Sequence, residues 1–437
     1  MSKRSEIRIE VPVLARVEGE GALELYIREG EIESLRLRIF EPPRLFEKFL
    51  EGREYGEVPD FVARICGICP VAYQMSAVHA IEQAFGVAPG PWVRALRRVL
   101  YCGEWIESHA LHIHLLAAPD FLGADSVVGL SARYPEEVRR GLRLQALGNA
   151  LIRLLGGRSV HPVGVRVGGF HRSPEAGEVD GMLAVLREAL PDAEALVAWT
   201  ASLDLPGGES AFTTVALRHP HEYAMNEGRL VSSDGLDIDI AHYGEHFREQ
   251  HIAHSTALYS LLYGDGSGGR PYLVGPLARI NLNWDQLPPV VRETVIRAGV
   301  CFPSYNMFHS IVARAVEIHY AVLEAIRLLE QYERPQAPAV PVTPRAGVGY
   351  GCTEAPRGAL WHRYEFDAYG HVLKATIVPP TSQNQARIEE DLRLSLQAFG
   401  LDHPIDALRR YSETIVRNYD PCISCATHFL RLGVHRR

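Results

Sequence analysis

The sequence has 437 residues, of which 47% are hydrophobic and 22% charged, and its net charge is −8. That length allows a large buried core, as one big subunit or two to three domains. The acidic balance, with no Lys/Arg-rich block, argues against a nucleic-acid partner. The polar start "MSKRSEIRIEVPV" has no secretory apolar region and no apolar run reaches bilayer length, so a cytoplasmic location is expected.

In chain order, alternation in "EIRIEVPV", "ALELYI" and "IESLRLRIF" predicts strands over residues 6–40. The period then changes. "PWVRALRRVLYCGEWIESHALHIHLLAAP" predicts one helix from Pro91 to Pro119, opened by a first-turn proline. A second helix runs from Pro135 to the Gly156-Gly157 stop, and a third from Glu178 to Leu203 with a break near Pro191. A fourth spans Met307 to Tyr332. These four are long and apolar enough to pack as a central bundle. Residues 203–290 read as loops, small strands and short helices on that bundle. Pro335, Pro338, Pro341 and Pro344 mark an extended connector, and a hairpin turning at Asp367 to Gly370 follows.

The chemistry starts at "RICGICP", where Cys66 and Cys69 form a C-x-x-C pair. Alone it is a redox dithiol or half of a metal site. The second pair, Cys422 and Cys425 in "DPCISCATH", changes the weighing. Four thiolates are the soft donor set that zinc, an iron–sulfur cluster or nickel would take. The bland reading is a structural zinc site. Such sites staple small modules with nearby ligands, whereas these pairs lie near opposite ends of a chain that needs no staple. Zinc and a four-cysteine iron–sulfur cluster both stay open on spacing alone. The remaining Cys102, Cys301 and Cys352 read as buried thiols.

The two motifs resemble the paired signatures of the large, catalytic subunit of NiFe hydrogenases. "RVEGEG" (Arg16–Gly21), "RLFEKFLEGR" (Arg44–Arg53), "SHALHIHLLAAPD" (Ser108–Asp120), "GRSVHPVGVRVGGF" (Gly157–Phe170), "EAPRGAL" (Glu354–Leu360) and "VPPTSQNQ" (Val378–Gln385) fall in the family's order across nearly the whole chain. The resemblance implies an α+β, mainly helical fold. It comprises a small N-terminal β-sheet (6–40), a long-helix bundle with insertions (91–332), and a hairpin with a C-terminal metal-binding segment (345–428), all in one domain, 1–437.

It further implies reversible heterolytic oxidation of dihydrogen to protons and electrons. Cys66 and Cys422 would be terminal nickel ligands, and Cys69 and Cys425 would bridge nickel to an iron that carries carbon monoxide and cyanide. Arg357 and Thr381 would donate to the cyanides, with Asp120 and Asp420 orienting Arg357. Glu18 would relay the released proton beside Cys422. Without its "RVEG" context it would be one more strand-edge glutamate. Glu47, His428 and the backbone of Ile377 would hold a second, hard ion, usually magnesium. His109, His112 and His161 match family histidines and read as packing or hydrogen-bonding groups.

Two positions depart from the usual pattern. Glu20 and Tyr73 stand where many members have histidine. Tyr73 and the chain's short length look most like the soluble, NAD(P)-linked bidirectional or sulfhydrogenase branch. The cysteines left over carry no pattern for iron–sulfur clusters, so an Fe–S small subunit is expected. Flavin (FAD) and NAD(P) would sit on further partner subunits. Maturation factors would install the iron ligands, and an endopeptidase would clip residues 429–437 after nickel insertion. Two rivals share parts of this pattern. A dihydrogen sensor would keep the same ligands, and a relative of the quinone-site subunit of respiratory complex I would lack the four cysteines.

Overall fold

The structure, a computed structural model, describes residues 6–124, 126–264, 266 and 268–427. Three strands, β1 (Glu6–Val11), β2 (Gly21–Arg28) and β3 (Glu31–Ile39), form an antiparallel meander. Alternation sends Leu23, Leu25 and Ile27 of β2 inward, where they are buried. Each such side chain contributes about 1.5–3 kcal/mol.

The helices that position the site are α1 (Phe46–Leu50), α2 (Pro70–Phe85), α3 (Pro91–Leu111), α4 (Pro135–Gly156), α5 (Ala176–Ala201), α6 (Pro276–Asn283), α7 (Ser310–Glu330), α8 (Pro380–Phe399) and α9 (Ile405–Tyr419). Prolines open α2, α3, α4, α6 and α8, at positions whose N–H would lack an intrahelical partner anyway. The four-helix core is present: α3 packs on α4 and α7, and α5 packs on α4 and α7. Helix α7 is buried on nearly every face, so it reads as a central helix rather than an amphipathic one.

Three details differ from the sequence expectations. Pro191 does not break α5. Both Pro191 and Arg187, whose carbonyl loses its i+4 donor, are exposed, so water can take over that bond. The helix expected to end at Pro119 does continue that far, but through a π-helical turn at His112–Ala117. That wider turn re-phases the residues after it. Finally, the hairpin has an unforeseen third strand. β4 (Gly347–Ala355), β5 (Gly358–Phe366) and β6 (Val372–Val378) form one antiparallel sheet.

Strand β4 lies directly on α2, and glycine makes that approach possible. A Cβ on Gly351 would sit 2.0 Å from the Ser76 carbonyl oxygen, and one on Gly349 would sit 1.9 Å from that of Ala80. The β4–β5 turn consists of Pro356 and Arg357, closed by the Ala355–Gly358 pair. Arg357 therefore sits at the tip of a rigid hairpin pressed onto the helix that starts at Cys69. No helix among the described residues is long and apolar enough to cross a membrane.

Candidate metal centre

Cys66 precedes α2 and Cys69 is its N-cap residue. Helix α9 ends with Asp420 in the left-handed region, φ 57°, which asparagine and aspartate tolerate better than most residues. That turn sends the chain into Cys422 and then one helical turn, Ile423–Ala426. All four thiols are buried, and their sulfurs lie within 4.8 Å of one another. Cys66 Sγ is 3.5 Å from Cys422 Sγ, Cys69 Sγ is 3.7 Å from Cys425 Sγ, and Cys422 Sγ is 2.7 Å from Cys425 Sγ.

Hydrogen bonding from Cys422, then Cys425 and Cys69, pulls Cys66 well below the ordinary thiol range. Burial pushes Cys422 well up. A thiolate beside protonated neighbours is what a thiol site offers when protons stand in for a metal, which would displace them.

Several contacts tie the two halves of the cluster together. Glu18 pairs with Cys422 in an isolated parallel bridge, with the Ile423 N–H on its carbonyl and the Ser424 N–H on its carboxylate, each at 3.0 Å. Gly19, at φ 87°, is required here, because a Cβ would come within 2.7 Å of Ile423. Arg44 donates to the Ile65 carbonyl at 2.7 Å and also to the Ser424 carbonyl. Its own amide donates to the Thr427 carbonyl at 2.6 Å. One side chain thus holds the residue before Cys66 and the residue between Cys422 and Cys425.

Arg357 is buried and aims at the same place. Its Nε donates to the Asp420 carbonyl at 2.8 Å, its Nη2 to Asp420 Oδ1 at 3.0 Å and its Nη1 to Ser108 Oγ at 3.3 Å. Burial opposes its charge, but Asp420 and then Cys422 hold it above the ordinary arginine range. Behind it, Arg279 donates to the Ala355 and Pro356 carbonyls at 2.7 and 3.0 Å, bracing the turn from inside a buried network with Glu317 and Glu354.

Asp120 differs from the expectation. It pairs with Arg16 and, at 2.7 and 2.9 Å, with Arg417, and it makes no hydrogen bond to Arg357. Ser108, one turn before the π-helical segment, takes the place assigned to it. Asp120 acts on the centre at one remove, through Arg417 on α9, which leads into Cys422, and through Arg16, two residues before Glu18.

Thr381 Oγ1 accepts the Cys422 N–H at 3.0 Å, leaving its own proton to donate. Next to it, the Ser382 hydroxyl is buried without a partner among the described residues. The Glu47 carboxylate accepts the Ile377 N–H at 2.7 Å, so these two residues do meet. His428, the third member of that expected set, and residues 429–437 lie outside the described residues. The histidines act as braces. His109 bonds Glu317 at 2.9 Å, His112 the Arg417 carbonyl at 2.8 Å and His161 the Ala63 carbonyl at 2.7 Å. Cys102 and Cys352 are buried, but Cys301 is exposed, in the loop after Gly299.

Arg44, Ser108 and Arg279 were missed in the sequence, and so was Glu104. The buried Glu104 carboxyl accepts the Val71 and Ala72 amides at 2.6 and 3.1 Å, at the N-terminus of α2. It supplies the capping that Cys69 does not. Tyr73, one turn beyond Cys69, is buried, and its hydroxyl makes no hydrogen bond among the described residues.

Four buried sulfurs, with a guanidinium and a carboxylate beside them, make a thiolate-rich cluster that could hold a metal ion. The nickel-dependent hydrogenase family model matches residues 44–143 and 241–428. The chain is 35% identical to the sulfhydrogenase 1 alpha subunit of Pyrococcus furiosus, across 98% of this chain and 100% of that one. It is 26% identical to the beta subunit of the NAD-reducing hydrogenase HoxS of Cupriavidus necator, across 97% and 95% respectively. Among solved structures, an NAD+-reducing NiFe hydrogenase in its H2-reduced state superposes with a TM-score of 0.87 at 27% identity, covering 98% of this chain and 100% of that one. The chain belongs to the nickel-dependent hydrogenase family, and it is an oxidoreductase that acts on hydrogen.

Proposed function

We propose that this chain is the catalytic subunit of a complex that oxidises dihydrogen reversibly and passes the electrons through an Fe–S small subunit to NAD(P). The observation that carries this reading is the convergence of Cys66, Cys69, Cys422 and Cys425 within 4.8 Å in a buried site. Soft thiolates fit nickel and iron, and the buried donors Arg357, Thr381 and Ser382 suit anionic diatomic ligands on the iron. Cys66 and Cys422 would hold nickel alone, and Cys69 and Cys425 would bridge. The bound metals supply dihydrogen polarisation and the redox change.

The chain's own groups do the rest. Arg357 holds a fixed positive charge over the centre, oriented by Asp420 and Ser108. Glu18, whose backbone pairs with Cys422 and whose carboxylate accepts the Ser424 amide, would take up the proton released on splitting and pass it outward, as a half-buried carboxylate at the edge of the site. Glu47 and the Ile377 backbone, with His428, would hold magnesium. Maturation factors and a C-terminal endopeptidase would act before the complex is complete, and FAD would sit on a partner.

The likeness to the NAD-reducing and sulfhydrogenase subunits supports the soluble, cytoplasmic branch. Infrared spectroscopy of the purified complex tests the centre. Bands from metal-bound carbon monoxide and cyanide are expected, and a nickel-loaded, active complex without them would overturn the reading.

A further inference from the structure

The Tyr73 hydroxyl is a polar atom without a use in the protein as described. Its side chain is 1% exposed, and among the described residues no group reaches full hydrogen-bonding geometry with the oxygen, although the Cys425 sulfur acts on it as a hydrogen-bonding neighbour. A buried hydroxyl left without a partner costs roughly 1–3 kcal/mol, so such an atom in a native core calls for an unseen partner.

The surroundings narrow what that partner is. Tyr73 lies four residues after Cys69 on α2, which puts both on one helix face. Burial acts most strongly on the phenol, and after it the sulfurs of Cys425, Cys69 and Cys422 in that order, which sets the hydroxyl beside the cluster. On its other side the ring packs against the His362 ring, at 5.7 Å between centroids and tilted by 50°. His362 is fixed in turn by the Tyr364 hydroxyl at 2.9 Å on its Nδ1. Strand β5, which carries His362 and Tyr364, therefore holds the phenol from behind while the hydroxyl end meets the cluster. Of the site's other polar groups, Arg357 donates to Asp420 and Ser108, and Thr381 accepts the Cys422 amide.

We infer that the Tyr73 hydroxyl donates a hydrogen bond to the Cys425 sulfur when that sulfur is metal-bound, and so tunes the electron density of the centre. The inference rests on the proposed assignment of Cys425 as a bridging ligand. A thiolate that joins two metals keeps a lone pair on sulfur. A hydrogen bond to that pair withdraws density from both metals, weakens back-donation to a carbon monoxide on the iron and raises its stretching frequency. Tyr73 is thus a positioning and tuning residue, not a ligand. It sets the redox potential at which the centre works.

The test compares the infrared spectra of the wild-type complex, a Tyr73→Phe complex and a complex carrying fluorotyrosine at position 73, each with nickel and iron content measured. Loss of the donor lowers the carbon monoxide stretch in Tyr73→Phe. Fluorotyrosine, a stronger donor of nearly the same shape, raises it above wild type. The metal-centred potentials shift in the same two directions. Tyr364→Phe, which changes only the ring support, moves the band less than Tyr73→Phe does. If Tyr73→Phe fails to mature, the fluorotyrosine arm still decides. Unmoved bands in fully metallated complexes overturn the role of Tyr73 and leave the dinuclear centre standing. Absence of such bands in the wild type overturns the centre itself.

Discussion

The Ser424 amide donates to the Glu18 carboxylate at 3.0 Å across 406 residues of chain. The base proposed to carry the proton is therefore oriented by the loop between two of the metal ligands. Neither half of the site is complete before the C-terminal segment closes against the N-terminal one.

Replacing Glu18 by Gln keeps that hydrogen bond, because the amide oxygen still accepts, but removes the proton carrier. Exchange between dihydrogen and solvent deuterons falls by about 10²–10⁴. Nickel content stays unchanged. Mass-spectrometric gas exchange with parallel elemental analysis checks both, and full exchange in a metal-loaded variant would remove Glu18 from the route.

Arg44 clasps both cysteine loops by their carbonyls, so Arg44→Ala loosens the site without touching a ligand. Nickel release into excess chelator accelerates by about 10–100-fold, the range for residues that support metal ligands. A release rate equal to wild type would show that the clasp carries no load.

Arg357 and Asp420 form a buried pair, with side chains 3% and 2% exposed. Asp420→Asn leaves the guanidinium charge without its counter-ion and lowers stability by about 3–5 kcal/mol. Arg357→Lys keeps the charge but loses the planar fork that reaches Asp420 and Ser108 together. Its activity drops far more than its stability does. Denaturant unfolding and hydrogen-dependent reduction of an artificial acceptor separate the two effects.

Acid sensitivity has a calculable part. Burial lowers His114 to about 4, and the ring stacks on Trp199 at 5.4 Å. A histidine buried neutral binds its proton in the unfolded chain first, so stability is full above about pH 6.5 and falls as pH drops towards 4. Between pH 7 and pH 5 the loss from this one group is about 2 kcal/mol. His114→Phe removes that part of the pH dependence of the unfolding free energy measured in urea.

The parts of this molecule that could be read from the sequence are those with local signatures. Period and first-turn prolines marked the long helices, and the two C-x-x-C pairs marked the cluster. What escaped depends on distant partners. Pro191 sits inside a helix because its face is exposed, a property of packing. Strand β4 was hidden by glycines, which weaken a strand signal but here bring backbone against α2. Asp120 stood in the right motif, yet in the fold it pairs with Arg16 and Arg417, while Asp420 and Ser108 are the residues that meet Arg357. Arg44, Arg279 and Glu104 act through backbone groups of residues far along the chain, which no spacing rule encodes. Cys301 differed for a simpler reason: a thiol in a loop has no core to enter.

One nickel and one iron are proposed to sit among Cys66, Cys69, Cys422 and Cys425. Anomalous diffraction from crystals of the mature complex, measured at the nickel and iron absorption edges, tests it most directly. Two peaks are predicted inside the four-sulfur cluster, with the iron peak next to Cys69 and Cys425 and the nickel peak in contact with all four sulfurs. A single zinc peak there, or a cluster of irons without nickel, would contradict the account.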